Sequence, residues 1–371
     1  MQAEIQAMKD EIMDIFTHLH QHPEVSFHEE KTRAYICQLA EAEGLTPQTF
    51  SSHYGIIVDV GDQPPEVALR TDMDALWQES SGVMQANHSC GHDAHMTMGI
   101  AAMLYFARHE REAMSVRFIF QPAEEKGEGA KLMVRDGAVE NITHLYGVHL
   151  RPEAEVPAGQ AAPAIQNGAA QFLYGTIAGE DAHGARPHLG VNAVEVGVAL
   201  VQRLQSIHTN PMVPASAKFT RFEAGGESQN VIPGRARFSL DVRAQTNEVM
   251  EELIAGVEKG VRGVSEAYGT NITLEYGASI PAAEIHEEAK EQLAAAIRET
   301  LGNEALHPVA VSSGGEDFHN YTIKQPELKA AMLGLGCGLT PGLHHPEMTF
   351  DRDAMIDGVE ILTRALLSHT I

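Results

Sequence analysis

Val116-Arg117-Phe118-Ile119-Phe120 opens a stretch that runs through Gln121-Pro122-Ala123-Glu124-Glu125 and a short helical run at 130–135. It closes on Leu145-Tyr146-Gly147-Val148. Two short apolar runs bounded by Pro, Gly and acids read as buried strands. A helix between them makes a strand–helix–strand unit, whose strands run parallel. Working outward on the N-terminal side, 55–60 and 66–70 read as two more strands. Helical spacing covers 4–20, about 32–44 and about 92–108. Strands alternating with helices imply a mainly parallel sheet covered on both faces.

After residue 170 the pattern changes. Strand-like segments lie at 171–178, 218–223, 236–243 and 272–276, separated by two helices. One helix spans about 192–208. The other has Thr246 as N-cap, a stripe of Met250, Leu253, Val257, Val261 and Val264, and Gly269 past its end. The order strand–helix–strand–strand–helix–strand suits a split βαβ domain of ferredoxin-like topology. From about 280 the first style returns, with a helix at 285–301, a strand at 331–335 and a helix at 353–368. The expectation is an α/β catalytic domain with a mainly parallel sheet, made of 1–168 and 280–371. An α+β domain, 169–279, is inserted in it.

The 371 residues carry a formal net charge of −25. That excludes nucleic acid as a partner, since phosphate contacts need clustered Lys and Arg. An anionic substrate would need a local positive site. No run of about 18 apolar residues suggests a membrane span. The amphipathic start lacks the pattern of a signal peptide, so a cytoplasmic location is expected. Three cysteines, Cys37, Cys90 and Cys337, give no disulfide framework.

Four motifs carry chemistry: His88-Ser89-Cys90-Gly91-His92-Asp93-Ala94-His95, Gln121 to Glu125, Gly147-Val148-His149, and Leu343-His344-His345-Pro346. Three of them follow expected strands, at the carboxyl edge where open α/β sheets bind ligands. Thiolate, imidazole and carboxylate are ligands that zinc prefers. Cys90, His92, His149, His344 and one glutamate make five donors, more than one catalytic metal needs, which suggests two metals. In an adjacent glutamate pair, one carboxylate can bind metal while the other moves protons. Taken singly, a His or Cys of this kind is more often a packed core residue than a ligand, and Glu124–Glu125 alone also reads as a solvated helix start.

On these residues the sequence resembles the aminoacylase/carboxypeptidase metallopeptidase family, in the branch of hippurate hydrolases, auxin-conjugate hydrolases and N-acetyl-diaminopimelate deacetylases. The matching segments run in order nearly end to end: Leu19 to Phe27, Leu69 to Leu76, Cys90 to Asp93, Gln121 to Glu125, Gly147 to Leu150, His183 with Pro187 and His188, Asn230 to Pro233, Glu316 to Phe318, and Leu343-His344. The resemblance implies a zinc-peptidase-like catalytic domain in which Cys90, His92, Glu125, His149 and His344 hold two divalent metal ions. Zinc comes first, with manganese, cobalt or nickel compatible. It implies Glu124 as general base and acid, Asp72 and Asp74 as groups orienting the ligand imidazoles, His183 as oxyanion donor and Asn230 as a substrate contact. The inserted domain would be a lid and a homodimer face. The implied substrate is a small N-acyl amino acid, with dipeptides or peptides as the alternative.

Other residues keep two readings. Asp93 caps its helix or orients a ligand. His20, His22 and Glu24 read as loop braces, and His188 and Glu316 as structural. Two departures from the family pattern stand out: Trp77-Gln78-Glu79 replaces Pro-Ile, and Glu180-Asp181-Ala182 precedes His183 where Gly-Gly is usual. Trp77 either adds bulk at the metal rim or packs under its loop. The two acids beside His183 would disfavour anionic acyl groups.

Overall fold

In the computed structural model, which describes residues 1–369, strand Val67–Asp72 sits in the interior of a seven-stranded sheet, and all its residues are buried. Val116–Gln121 and His144–Pro152 run parallel to it on either side, and Lys329–Leu339 runs parallel to His144–Pro152. Ile56–Val60 and Ala161–Ala162 pair antiparallel towards the two edges. Side chains alternate between faces. Val67 and Leu69 enter one core with helices Lys9–Gln21, His92–Tyr105, Glu287–Leu301 and Ala354–Leu367. Ala68 enters the other, with Ala130, Met133, Phe318 and Tyr321. The mainly parallel, doubly covered sheet is the architecture expected from the sequence.

The chain divides into two compact units. One contains Met1–Gln166, Glu284–Val311 and the chain from Asp317 onward; the other contains Asn167–Ala283 and Ser312–Glu316. Residues 312–316 thus leave the catalytic part to which the sequence reading gave them: Gly168 N–H donates to Ser312 O, and Asn167 Nδ2 to Gly314 O. The second unit has a four-stranded antiparallel sheet in the order Ala215–Ala224, Arg235–Ala244, Ala169–Ala178, Asn271–Ile280. Helices Ala193–Gln205 and Asn247–Tyr268 pack with it around Leu173, Ile177, Leu200, Leu240 and Val257. That is the ferredoxin-like topology. Thr246 caps the longer helix by accepting from Val249 N–H, and Gly269 ends it at φ +61.

Three local differences bear on function. The strand expected at 145–148 continues to Pro152, so His149 lies inside a strand and not after one. The helix expected to reach 108 gives way at Tyr105 to a π-turn, Phe106–Glu110. Leu76–Ser80 and Val83–Asn87 form a hairpin absent from the sequence reading. Its turn residues, Ser81 (φ +53) and Gly82 (φ +79), have the backbone of a tight two-residue loop. Among the described residues no helix is long and apolar enough to cross a membrane.

Candidate active site

The carboxyl ends of the parallel strands deliver the site. Asp72 ends its strand and Asp74 follows two residues on. Gln121 ends the next, and the chain turns through Ala123, at φ +52, into a 3-10 turn, Glu124–Lys126. The turn cannot slide. Glu124 N–H and Glu125 N–H donate to the two oxygens of Asp74 at 3.0 and 3.1 Å, and Ala123 N–H donates to Glu29 Oε1 at 2.9 Å. Such over-determination is what holds a non-glycine residue in the left-handed region. Gly129 closes the same turn, since a β-carbon there would lie 1.7 Å from Pro122 O. Gly91, at φ +88, precedes helix His92–Tyr105 and lets Cys90 and His92 face the same space.

Ligand atoms of Cys90, His92 and His149 lie within 4.8 Å of one another, and so do those of Cys90, Glu125 and His344. The two groups share Cys90. Cys90 Sγ is 3.6 Å from His149 Nε2, and Glu125 Oε1 is 3.4 Å from His344 Nε2. Tetrahedral zinc bonds of about 2.3 Å to sulfur and about 2.0–2.2 Å to nitrogen and oxygen set such edges at roughly 3.4–3.6 Å.

The lone pairs decide whether these groups suit a divalent ion. His92 Nδ1 is occupied by Asp74 O at 2.8 Å and His149 Nδ1 by Leu150 O at 2.7 Å. A carbonyl only accepts, so both rings carry their proton on Nδ1 and present Nε2 as a lone pair. His92 Nε2 and Glu125 Oε1 are buried without a hydrogen-bond partner, which is costly unless something else pairs with them. Burial, aided by the charge of Glu125, pushes the Cys90 thiol up to about 12, so a thiolate needs a cation beside it. Burial and the neighbouring His95 hold His149 well below the ordinary imidazole range, as a neutral ligand requires. Burial opposes charge on His92 too, but the Asp72 carboxylate outweighs it and raises that ring well above its usual range, so a proton competes with a cation for Nε2. The pocket at His92 therefore favours positive charge. The donor set fits two divalent ions.

Of the two aspartates, Asp74 holds the glutamate turn with its side chain and His92 with its carbonyl. Asp72 differs from expectation. Its Oδ1 accepts from His95 Nδ1 at 2.8 Å and its Oδ2 from Arg70 at 2.7 Å, while His92 Nε2 is 3.9 Å away. The cause is spacing: two positions along an extended chain match one turn of the facing helix, so Asp74 meets His92 and Asp72 meets His95. His95 Nε2 then accepts Leu150 N–H at 2.9 Å and braces the strand beside His149.

Sequence reasoning missed this brace, and it missed the buried network below it. Arg70, fully buried, donates to Gln121, Asp72 and Asp317. Asp317 also accepts from Gln121 and Ala130 N–H, and its own N–H reaches Glu124 Oε1 at 3.3 Å. An arginine directly after the apolar run Val67-Ala68-Leu69 was the available signal, because a buried charge must be paired.

Among the residues with two readings, Asp93 lies inside its helix and does not cap it. Its carboxylate takes His20 Nδ1 at 2.6 Å and Ala94 N–H at 2.9 Å. Glu24 accepts Thr32 N–H and Oγ1, a brace as expected. His345 Nδ1 accepts Glu347 N–H, leaving His344 as the ring at Glu125. Trp77 is 63% exposed and does not pack under its loop. In the second unit, His183 pairs with Val231 across a two-stranded ribbon, and Gly184 N–H donates to Asn230 O at 2.8 Å. Asp181 is committed to the backbone, accepting Gly234 N–H at 2.6 Å.

Glu29 yields a stability prediction. It is buried, and desolvation raises its carboxyl from 4.5 to about 7. Between those values the folded chain binds more protons than the unfolded one, so stability falls as pH rises through that window. The loss is about 3 kcal/mol, at 1.36 kcal/mol per unit. Glu29→Gln keeps an acceptor for Ala123 N–H and removes this slope. Denaturant unfolding of the chelated proteins at pH 5 and pH 8 should show wild type losing about 3 kcal/mol relative to the variant, the buried histidines contributing equally to both. Equal slopes would mean Glu29 does not titrate in the fold.

Residues 68–368 match the model of peptidase family M20/M25/M40. A hydrolase of Synechocystis is 34% identical over 97% of this chain and 96% of its own length. An IAA-amino acid hydrolase of Arabidopsis thaliana is 31% identical over 83% of this chain and 73% of its own. An aminohydrolase structure from methicillin-resistant Staphylococcus aureus superposes with a TM-score of 0.91 at 25% identity, covering 100% of this chain and 99% of that one. The chain belongs to peptidase family M20/M25/M40 and is a hydrolase of its amidohydrolase kind.

Proposed function

We propose that the chain hydrolyses the amide bond of N-acyl amino acids, using two divalent ions held by Cys90, His92, Glu125, His149 and His344. The observation that carries this reading is the pair of donor groups sharing Cys90, with Glu124 beside them on a clamped turn. Ions bound there supply Lewis acidity and make water nucleophilic near neutral pH. Thiolate favours zinc, while imidazole and carboxylate also admit manganese, cobalt or nickel.

Glu124 is the proton carrier. Its carboxylate takes a proton from the attacking water and returns it to the amide nitrogen as the C–N bond breaks, giving a carboxylate and a free amine. Asp74 keeps Glu124 and Glu125 in fixed register, one for protons and one for metal. The family likeness assigns His183 the role of oxyanion donor and Asn230 that of a substrate contact. His183 Nδ1 accepts Ala185 N–H at 3.0 Å, so its exposed Nε2 carries the proton that an oxyanion donor needs. Asn230 is the substrate contact beside it. Two cations inside a protein of net charge −25 also give an anionic substrate its local positive site.

A panel of N-acetyl amino acids, N-benzoyl amino acids and dipeptides, assayed with and without chelator, tests the substrate class. The expected result is chelator-sensitive release of acetate or benzoate. Turnover of dipeptides alone would replace this reading with a dipeptidase of the same chemistry.

A further inference from the structure

His344 stands apart from the other four donors. Cys90, His92 and His149 are buried, and Glu125 rides the clamped turn. The His344 side chain is 53% exposed, on a loop, with its backbone at φ +65. A non-glycine residue in that region costs roughly 1–3 kcal/mol and persists only where its neighbours hold it. Two contacts do so. His344 N–H donates to Ser89 O at 2.7 Å, and Gln78 Nε2 donates to His344 O at 3.1 Å.

Gln78 is itself fixed. Asn87 Nδ2 donates to Gln78 Oε1 at 2.9 Å and to Pro346 O at 3.0 Å. Two backbone carbonyls, at 344 and 346, need donors, so the orientation of both amides is determined. In the hairpin register Leu76 faces Asn87 and Gln78 faces Gln85, which sets Gln78 and Asn87 diagonally on one face. Trp77 and Met84 project from the other face and are exposed. Gln78 also falls in the three-residue stretch where this sequence leaves the family's pattern.

The geometry points to Gln78 and Asn87 as a two-amide clamp that sets His344 against Glu125 and so fixes the strength of one of the two metal positions. They are positioning residues, since neither reaches the ligand atoms. The inference rests on the two-metal reading above. It makes the hairpin, a surface element, a determinant of metal occupancy at the position shared by Cys90, Glu125 and His344. The position shared by Cys90, His92 and His149 is independent of it.

The test is calorimetric titration of Mn²⁺ into the chelated whole chain, for wild type, Gln78→Leu, Asn87→Leu, the double variant and Trp77→Ala. Losing a supporting residue behind a ligand typically weakens metal binding 10–100-fold. Gln78→Leu should weaken one of two binding events about tenfold and leave the other unchanged. The double variant should be little worse than Gln78→Leu, because both residues act through one chain of contacts. Trp77→Ala, from the opposite face, should bind as wild type does. Excess Mn²⁺ should restore the variant's turnover, which it would not do for a misfolded hairpin. Two wild-type affinities in Gln78→Leu, or equal weakening of both, would overturn the clamp while leaving the two-metal reading intact. A wild-type chain that binds fewer than two ions would overturn that reading, and the clamp with it.

Discussion

Glu124→Gln lowers kcat by about 10²–10⁴-fold, the usual worth of a positioned general acid–base, while two metals stay bound. The substitution keeps shape and removes only the ability to hold and release a proton. Glu124 N–H still donates to Asp74 Oδ1, and Asp317 N–H still finds an oxygen at the Glu124 Oε1 position. The ligand set is untouched, so metal content by elemental analysis should equal wild type. KM should change far less than kcat, because the lost interaction belongs to the transition state. Turnover within a few-fold of wild type would move the proton-transfer role to another residue. Loss of metal along with activity would make Glu124 a ligand.

Cys90→Ser strips both metal positions at once. Cys90 is the donor common to the two groups, whereas His149 and His344 each belong to one. Binding at both positions should weaken by more than about 100-fold, beyond the usual cost of losing a mere supporting residue. His149→Ala and His344→Ala should each weaken one position chiefly. The comparison separates a shared sulfur from two independent sites. If Cys90→Ser lost one ion and kept the other, the sulfur would serve a single position. Serine keeps the small size of the side chain, and Cys90 is walled by the strand and helix that hold His149 and His92, so the fold should survive.

Much of this was legible before the structure, for reasons that particular residues show. Val67 to Leu69 are apolar on both faces, and Val116 to Phe120 break that pattern only at Arg117, which pairs with Asp59; a covered parallel sheet uses strands of that kind. Thr246 and Gly269 bracket a helix with its cap chemistry at both ends. The five expected donors come from a helix start, a turn after a strand, a strand and a loop, and the sheet's strand order brings them together across more than 250 residues of chain.

The less legible parts depend on partners that sequence does not reveal. The apolar run stops at Val148, so the sequence alone puts His149 after a strand. Pairing with Lys329–Leu339 carries the strand on through charged Arg151, whose head group meets Glu155. Asp72 was assigned to a ligand imidazole, although the helix facing it offers His95 one turn beyond His92. The hairpin of Leu76–Ser80 and Val83–Asn87 lacks the strong Asn-Gly or Asp-Gly turn signal, since Ser81-Gly82 makes its loop. The Arg70–Asp317 pair joins positions 247 apart, and no local pattern announces it.

The most direct test of the central claim is turnover of an N-acyl amino acid by chelated protein as metal is returned in measured equivalents. Two ions sharing Cys90 predict activity that is absent without metal and climbs until about two equivalents are bound. Activity complete at one equivalent, or unchanged by chelation, would contradict a dinuclear centre built on these five residues.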